Sequence, residues 1–133
     1  YQIIAHLMDG AKGVDFWGSG PLEDGRYMHL IASLSKIFAR TERYILDGDR
    51  VAPPVNIVDD EGLKIAAYKL GDDVLLILLS RYTHERKVQI LPTIEGTSIT
   101  DILTEERYNF SKDDQISIDI QALGARFLLF RES

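Results

Sequence analysis

The sequence predicts a mixed α and β chain, in which a helix–strand–helix passage precedes an antiparallel β-sandwich. Three observations carry this. Apolar residues recur at intervals of three and four up to Leu46. Asp47-Gly48-Asp49 and Pro53-Pro54 then break the pattern. Beyond them the period falls to two, with turn residues at roughly eight- to twelve-residue spacing. The expected boundary separates residues 1–47 from residues 48–133.

The chain opens on Tyr1, inside what reads as a helix, and an apolar strand follows that ends in Val14-Asp15-Phe16-Trp17. A lone strand has no partner for its backbone groups, and a buried unpaired group costs roughly 1–3 kcal/mol. The strand is therefore expected to belong to a larger sheet, and the chain to be a fragment of a longer protein. In the second helix Tyr27, Leu30, Ile31, Leu34, Ile37, Phe38, Tyr44 and Ile45 mark one buried face. Glu23-Asp24-Gly25 suits its positive end. Gly48 is expected to end it in a left-handed conformation, and residues 47–54 to form a linker.

Strands are expected at 55–58, 63–69, 74–80, 87–91, 98–103, 116–120 and 126–130. Asp59-Asp60-Glu61-Gly62 and Gly71-Asp72-Asp73 read as hairpin connections. Lys87-Val88-Gln89-Ile90-Leu91 and Ile116-Ser117-Ile118-Asp119-Ile120 alternate cleanly, as strands with one wet face do. Val74 to Leu79 is apolar throughout and should be a central strand.

The apolar fraction of 45% and charged fraction of 27% are those of a globular protein. The longest apolar run is far shorter than the roughly 20 residues of a membrane-spanning helix. Fifteen basic residues against 21 acidic ones, for a net charge of −6, disfavour nucleic acid as a partner. With no cysteine there is no disulfide or thiolate site, and His6, His29 and His84 lack ligand spacing, so no metal or cofactor is expected. The compartment is left open.

Asp59-Asp60-Glu61, Asp72-Asp73 and Asp113-Asp114 lack the spaced oxygens of a calcium loop and read as solvated turns. Arg81, Tyr82, Thr83, His84, Glu85 and Arg86 mix an aromatic with polar groups, either as a carbohydrate contact or, more simply, as a polar strand connection. Gly10, Gly13, Gly18 and Gly20 do not form a phosphate-binding fingerprint.

Together the two halves carry a resemblance. Residues 1–17, with Gly10, the Lys12-Gly13 step and a strand closing on Trp17, resemble the last helix–strand passage of a (β/α)8-barrel glycoside hydrolase. Residues 24–46 resemble the eighth barrel helix. The remainder, with Asp101 to Glu106 in a late strand and turn and Leu123 to Phe130 as the last strand, resembles the C-terminal β-sandwich that follows many such barrels. The resemblance implies the helix–strand–helix remnant of a barrel followed by an accessory sandwich. It also implies a parent enzyme that hydrolyses or transfers glycosides.

In such enzymes the catalytic carboxylate pair follows the fourth and seventh barrel strands, which this sequence does not contain. No catalytic residue is therefore assigned, and the fragment alone is expected to be inactive. Trp17 would lie at the C-terminal end of a barrel strand, where the active site sits, as a platform for a pyranose. It would equally serve to fill a domain junction. Asp15 shares its parity and would accompany it, or form a salt bridge with Lys12. The implied partner is carbohydrate, through the parent.

Two further classes predict different features. A stand-alone carbohydrate-binding or protein-interaction module should expose a row of aromatics on one sheet face. A stand-alone domain whose first helices cover the sandwich would need partners for Ile3, Ile4, Leu7, Val14 and Phe16. An open edge at the N-terminal strand also predicts self-association through that segment.

Overall fold

The computed structural model describes residue 8, residues 25–95, 98–121 and 124–131, with backbone alone for 25–35. Helix α1 (Gly25–Asp47) is followed by β1 (Asp49–Val51), β2 (Val55–Ile57), β3 (Leu63–Leu70), β4 (Asp73–Ser80) and β5 (Arg86–Pro92). Then come β6 (Ser98–Asp101), β7 (Arg107–Asn109), β8 (Ile116–Ile120) and β9 (Ala125–Arg131). A six-stranded sheet has the order β1-β3-β4-β9-β6-β7, and a three-stranded sheet has the order β2-β5-β8. Every pairing is antiparallel.

Parity explains how the layers meet. On β4 and β9 the even-numbered Leu76, Leu78, Leu128 and Phe130 face the three-stranded sheet, where Val88, Ile90, Ile118 and Ile120 close one core. The odd-numbered Leu75, Ile77, Leu79, Phe127 and Leu129 face the other way, onto Tyr44 and Ile45 of α1 and onto Met8. The six-stranded sheet is thus covered on both faces, which is why β4 is apolar at every position from 74 to 79. Full burial of each Leu or Ile contributes roughly 1.5–3 kcal/mol. The outer face of the three-stranded sheet is wet, as the alternation of β5 and β8 predicts. There Lys87 faces Asp119 and the Ser117 hydroxyl donates to Gln89 Oε1 at 2.8 Å.

Helix α1 carries its buried residues on one stripe. Thr41, Tyr44 and Ile45 are buried, with Ile37 partly so, while Glu42, Arg43 and Leu46 are exposed. The buried Thr41 hydroxyl is satisfied by donating to the Ile37 carbonyl at 2.8 Å.

Four expectations are corrected. Residues 47–54 are no simple linker: Asp49, Arg50 and Val51 pair with Lys69, Tyr68 and Ala67 as an edge strand. Gly48 does end the helix, but not in the left-handed region. Its N–H donates to the Tyr44 carbonyl, and an added Cβ would lie 2.3 Å from that oxygen, so close approach excludes a side chain there. Asp59 to Gly62 is not a hairpin, because β2 and β3 lie in different sheets and the turn carries the chain across. The strand expected at 98–103 stops at Asp101, whose side chain starts a turn. Gly71-Asp72 does close a hairpin, with Leu70 opposite Asp73 and Gly71 at φ 63°. Positive φ at the first central position alone is the II′ pattern. Apart from Met8, the first helix and the strand expected at 13–17 lie outside the described residues.

Candidate functional site

Trp17 and Asp15, the two residues singled out for sugar binding, lie outside the described residues. What the described residues do bring together are two polar clusters and an open groove.

The first cluster stands at one end of the inter-sheet core. Asp101 shares parity with the buried Ile99 and is itself 1% exposed. Its Oδ1 accepts the N–H groups of Leu103 and Thr104 at 2.9 and 3.0 Å, and its Oδ2 receives Arg126 Nε at 2.6 Å. Arg126 also donates to the Asp119 carbonyl at 2.9 Å, so its guanidinium ties β9 to β8 of the other sheet. A contact at 3.4 Å to Glu106, and the Tyr108 hydroxyl donating to that carboxylate at 2.7 Å, complete the group.

Burial works to lower the Arg126 pKa, but the charge and hydrogen bond of Asp101 outweigh it and hold the guanidinium above its ordinary value. Burial and the Glu106 bond push the Tyr108 phenol up, and Arg126 partly offsets them. Asp101 is the buried carboxylate among the described residues, and both its oxygens are engaged. It caps the turn after β6 and pairs the arginine of β9. Sequence reasoning placed Asp101 only in a strand and turn. The available signal was an acidic residue at the inward parity of β6.

The second cluster holds the crossover between the sheets. Arg86 donates to the carbonyls of Glu61 and Asp59, the latter at 3.0 Å, and lies 4.7 Å over the Tyr82 ring. Tyr82 packs on Gly62, where an added Cβ would meet the ring at 2.8 Å. Cation and backbone therefore occupy the surroundings of this ring, and His84 lies beside it with centroids 5.2 Å apart. Residues 81–86 form a polar connection between β4 and β5.

The groove, of about 460 Å³, runs between α1 and β9. Arg40 and Arg43 from the helix, Arg131 from β9 and Glu42 form its polar rim, with Ile102 and Leu129 as apolar lining. Arg40 donates to the Ile102 carbonyl, and Arg43 donates to the Tyr44 hydroxyl at 2.8 Å while stacking on that ring.

A sugar-stacking row is not present among the described residues. Tyr68, Phe110, Phe127 and Phe130 are buried, and Tyr82 and Tyr108 are half-buried and engaged. No group of three His, Asp or Glu able to hold a metal ion occurs among the described residues. No described helix is long and apolar enough to cross a membrane.

No family model matches the sequence, and no curated protein matches it. Solved structures do. The chain is similar to AmyP E221Q in complex with maltotriose, with a TM-score of 0.67 and 19% identity over 82% of this chain and 22% of that one. An α-amylase from Anoxybacillus follows at TM-score 0.58 and 15% identity, over 79% of this chain and 23% of that one. A putative α-N-acetylgalactosaminidase from Bacillus halodurans gives TM-score 0.57 and 9% identity, over 83% and 26%. The chain thus spans about a quarter or less of the first of these, and at such identities the likeness is one of fold. The neighbours are glycoside hydrolases, and what this chain shares with part of each is the fold of a β-rich domain.

Proposed function

We propose that the chain is the C-terminal part of a glycoside hydrolase. In this reading residues 1–47 are the end of a (β/α)8 barrel and residues 48–133 its accessory β-sandwich. The observation that carries it is the fold likeness to amylase and α-N-acetylgalactosaminidase structures, which takes in about four-fifths of this chain but under a third of theirs. The commitment of Asp101 to Arg126 and to two backbone N–H groups supports placing the catalytic carboxylates upstream, outside this sequence. A sandwich held by two such clusters suits a rigid support. Carbohydrate is the partner through the parent, with Trp17 as a sugar platform at the pocket and Asp15 beside it. When the chain is isolated, its N-terminal strand would self-associate.

The test is to sequence the gene upstream of Tyr1 and express the longer product beside the chain itself. Both are assayed on aryl α- and β-glycosides and on maltooligosaccharides. The longer product should turn over one of these substrates and the chain alone none. Trp17→Ala in the longer product should raise KM about tenfold, the loss of a stacking contact of roughly 1–1.5 kcal/mol. Turnover by the chain alone, or an upstream region without βα units, would overturn the reading.

A further inference from the structure

Helix α1 is not all that the six-stranded sheet holds on its helix-bearing face. Arg50 of β1 lies directly opposite Tyr68, so both side chains stand on that face. From there the guanidinium lies 5.2 Å from the Tyr68 ring centre and donates to the Met8 carbonyl at 2.5 Å. Met8 is itself helical and 1% exposed, seated in the core that Tyr44, Tyr68 and Leu75 share. Two contacts, one apolar and one polar, thus bind the start of the chain to the sandwich. Arg50 is exposed and belongs to an edge strand, so neither core packing nor strand pairing calls for a guanidinium there.

The bond to Met8 does have a physical use. The last four carbonyls of a helix lack an intrahelical N–H, and an arginine there satisfies one of them and meets the negative end of the helix dipole. Met8 stands two residues before Gly10, where the sequence predicts the first helix to end. Arg50 caps that helix from the far side of the boundary between residues 1–47 and 48–133.

We propose that Arg50 is a positioning residue for the sugar platform Trp17. The inference rests on the reading of the chain as the end of a barrel with its sandwich, and gives the sandwich a task in it. In that reading residues 10–12 are a short step from the capped helix into the strand that closes on Trp17. The helix end that Arg50 holds is therefore the near anchor of that strand. Arg50 acts through Met8 and touches no sugar. A lysine offers a point charge in place of the planar fork, so it should replace Arg50 only in part.

The experiment follows hydrogen exchange by mass spectrometry in the full chain and in its R50Q and R50K variants. Amides of residues 9–17 should exchange about tenfold faster in R50Q, the loss of a hydrogen bond to a charged group, and about threefold faster in R50K. Those of β3, β4 and β9 should be unchanged, which also shows that the variants fold. Trp17, the only tryptophan of the sequence, should become more open to acrylamide quenching in the same order. In the longer product R50Q should raise KM for maltooligosaccharides about threefold and leave kcat within about twofold. Unchanged exchange over residues 9–17, equal acceleration in the core strands, or a fall in kcat at constant KM would each overturn the proposal. A longer product that turns over no glycoside would overturn the glycoside hydrolase reading, and the sugar role with it, while exchange in the chain itself still decides the cap.

Discussion

Asp101 and Arg126 form a buried, hydrogen-bonded ion pair, and Arg126 also reaches the other sheet. Removing one partner of a buried, hydrogen-bonded ion pair leaves the other uncompensated. Asp101→Ala should therefore lower stability by about 2–4 kcal/mol, somewhat under the fully buried case because Arg126 retains some solvent contact. Urea unfolding measures this, and a loss near zero would mean that the pair is ornamental. Asp101→Asn keeps an acceptor for Leu103 and Thr104 and should recover part of the loss. Tyr108 supplies a pH signature. Its folded pKa is raised above the ordinary value of about 10. Its contribution to stability is therefore complete below that pH and is lost as pH climbs through the folded value. Above pH 10 the wild type should lose stability faster than Tyr108→Phe; parallel curves for the two proteins would contradict this. None of this network was visible in the sequence, because the partners of Arg126 come from three other strands and turns and no local spacing announces them. The parity of Asp101 with Ile99 was the one legible trace.

At the scale of elements, the strands that alternate or run apolar were readable, and the two outer strands of the six-stranded sheet, β1 and β7, were not. β1 and β7 are edge strands whose members, such as Asp49, Arg50 and Arg107, are mostly exposed, so burial leaves no pattern on them. The Asp59 to Gly62 turn was read as a hairpin because its composition suits one. What sends β3 to the other sheet is the parity of the cores and the grip of Arg86, both tertiary. The turn glycines offer a test. Gly71 has φ 63° and open space around an added Cβ, so Gly71→Ala should cost only the left-handed backbone penalty, about 1–2 kcal/mol. Gly62 has φ 73° and Tyr82 in the way. Gly62→Ala should therefore cost more, by an amount that Tyr82→Leu in the same background reduces. Equal melting shifts for the two alanine variants would show that Tyr82 yields freely.

For the molecule as a whole, the decisive relation is between α1 and the sheet beneath it. Leu75, Ile77, Leu79, Phe127 and Leu129 form one apolar surface under Tyr44, Ile45 and Met8. A chain reduced to residues 48–133 would present that surface to water, well beyond what monomeric proteins tolerate. It should bind a hydrophobic dye strongly and sediment as aggregates. A soluble monomer would mean that the sandwich is an autonomous unit. The sequence indicated a sandwich and a helix with one buried face, and left open whether that face meets a barrel or the sandwich; in the structure it meets the sandwich. The aromatic and aliphatic stripe from Ile37 to Ile45 is equally suited to a barrel wall.

The position of β9 in the sheet carries a consequence for the chain as it leaves the ribosome. β4 is complete at residue 80, yet the neighbour that seals its second edge and joins it to β6 is not made until residues 125–131. At roughly 5–20 residues per second, that leaves a few seconds in which a fully apolar strand has one edge open. The β3–β4 hairpin can close at once, but the layer as a whole must wait. A message truncated before β9 should yield a product that chaperones retain, and slowing translation between residues 81 and 124 should lower the folded yield.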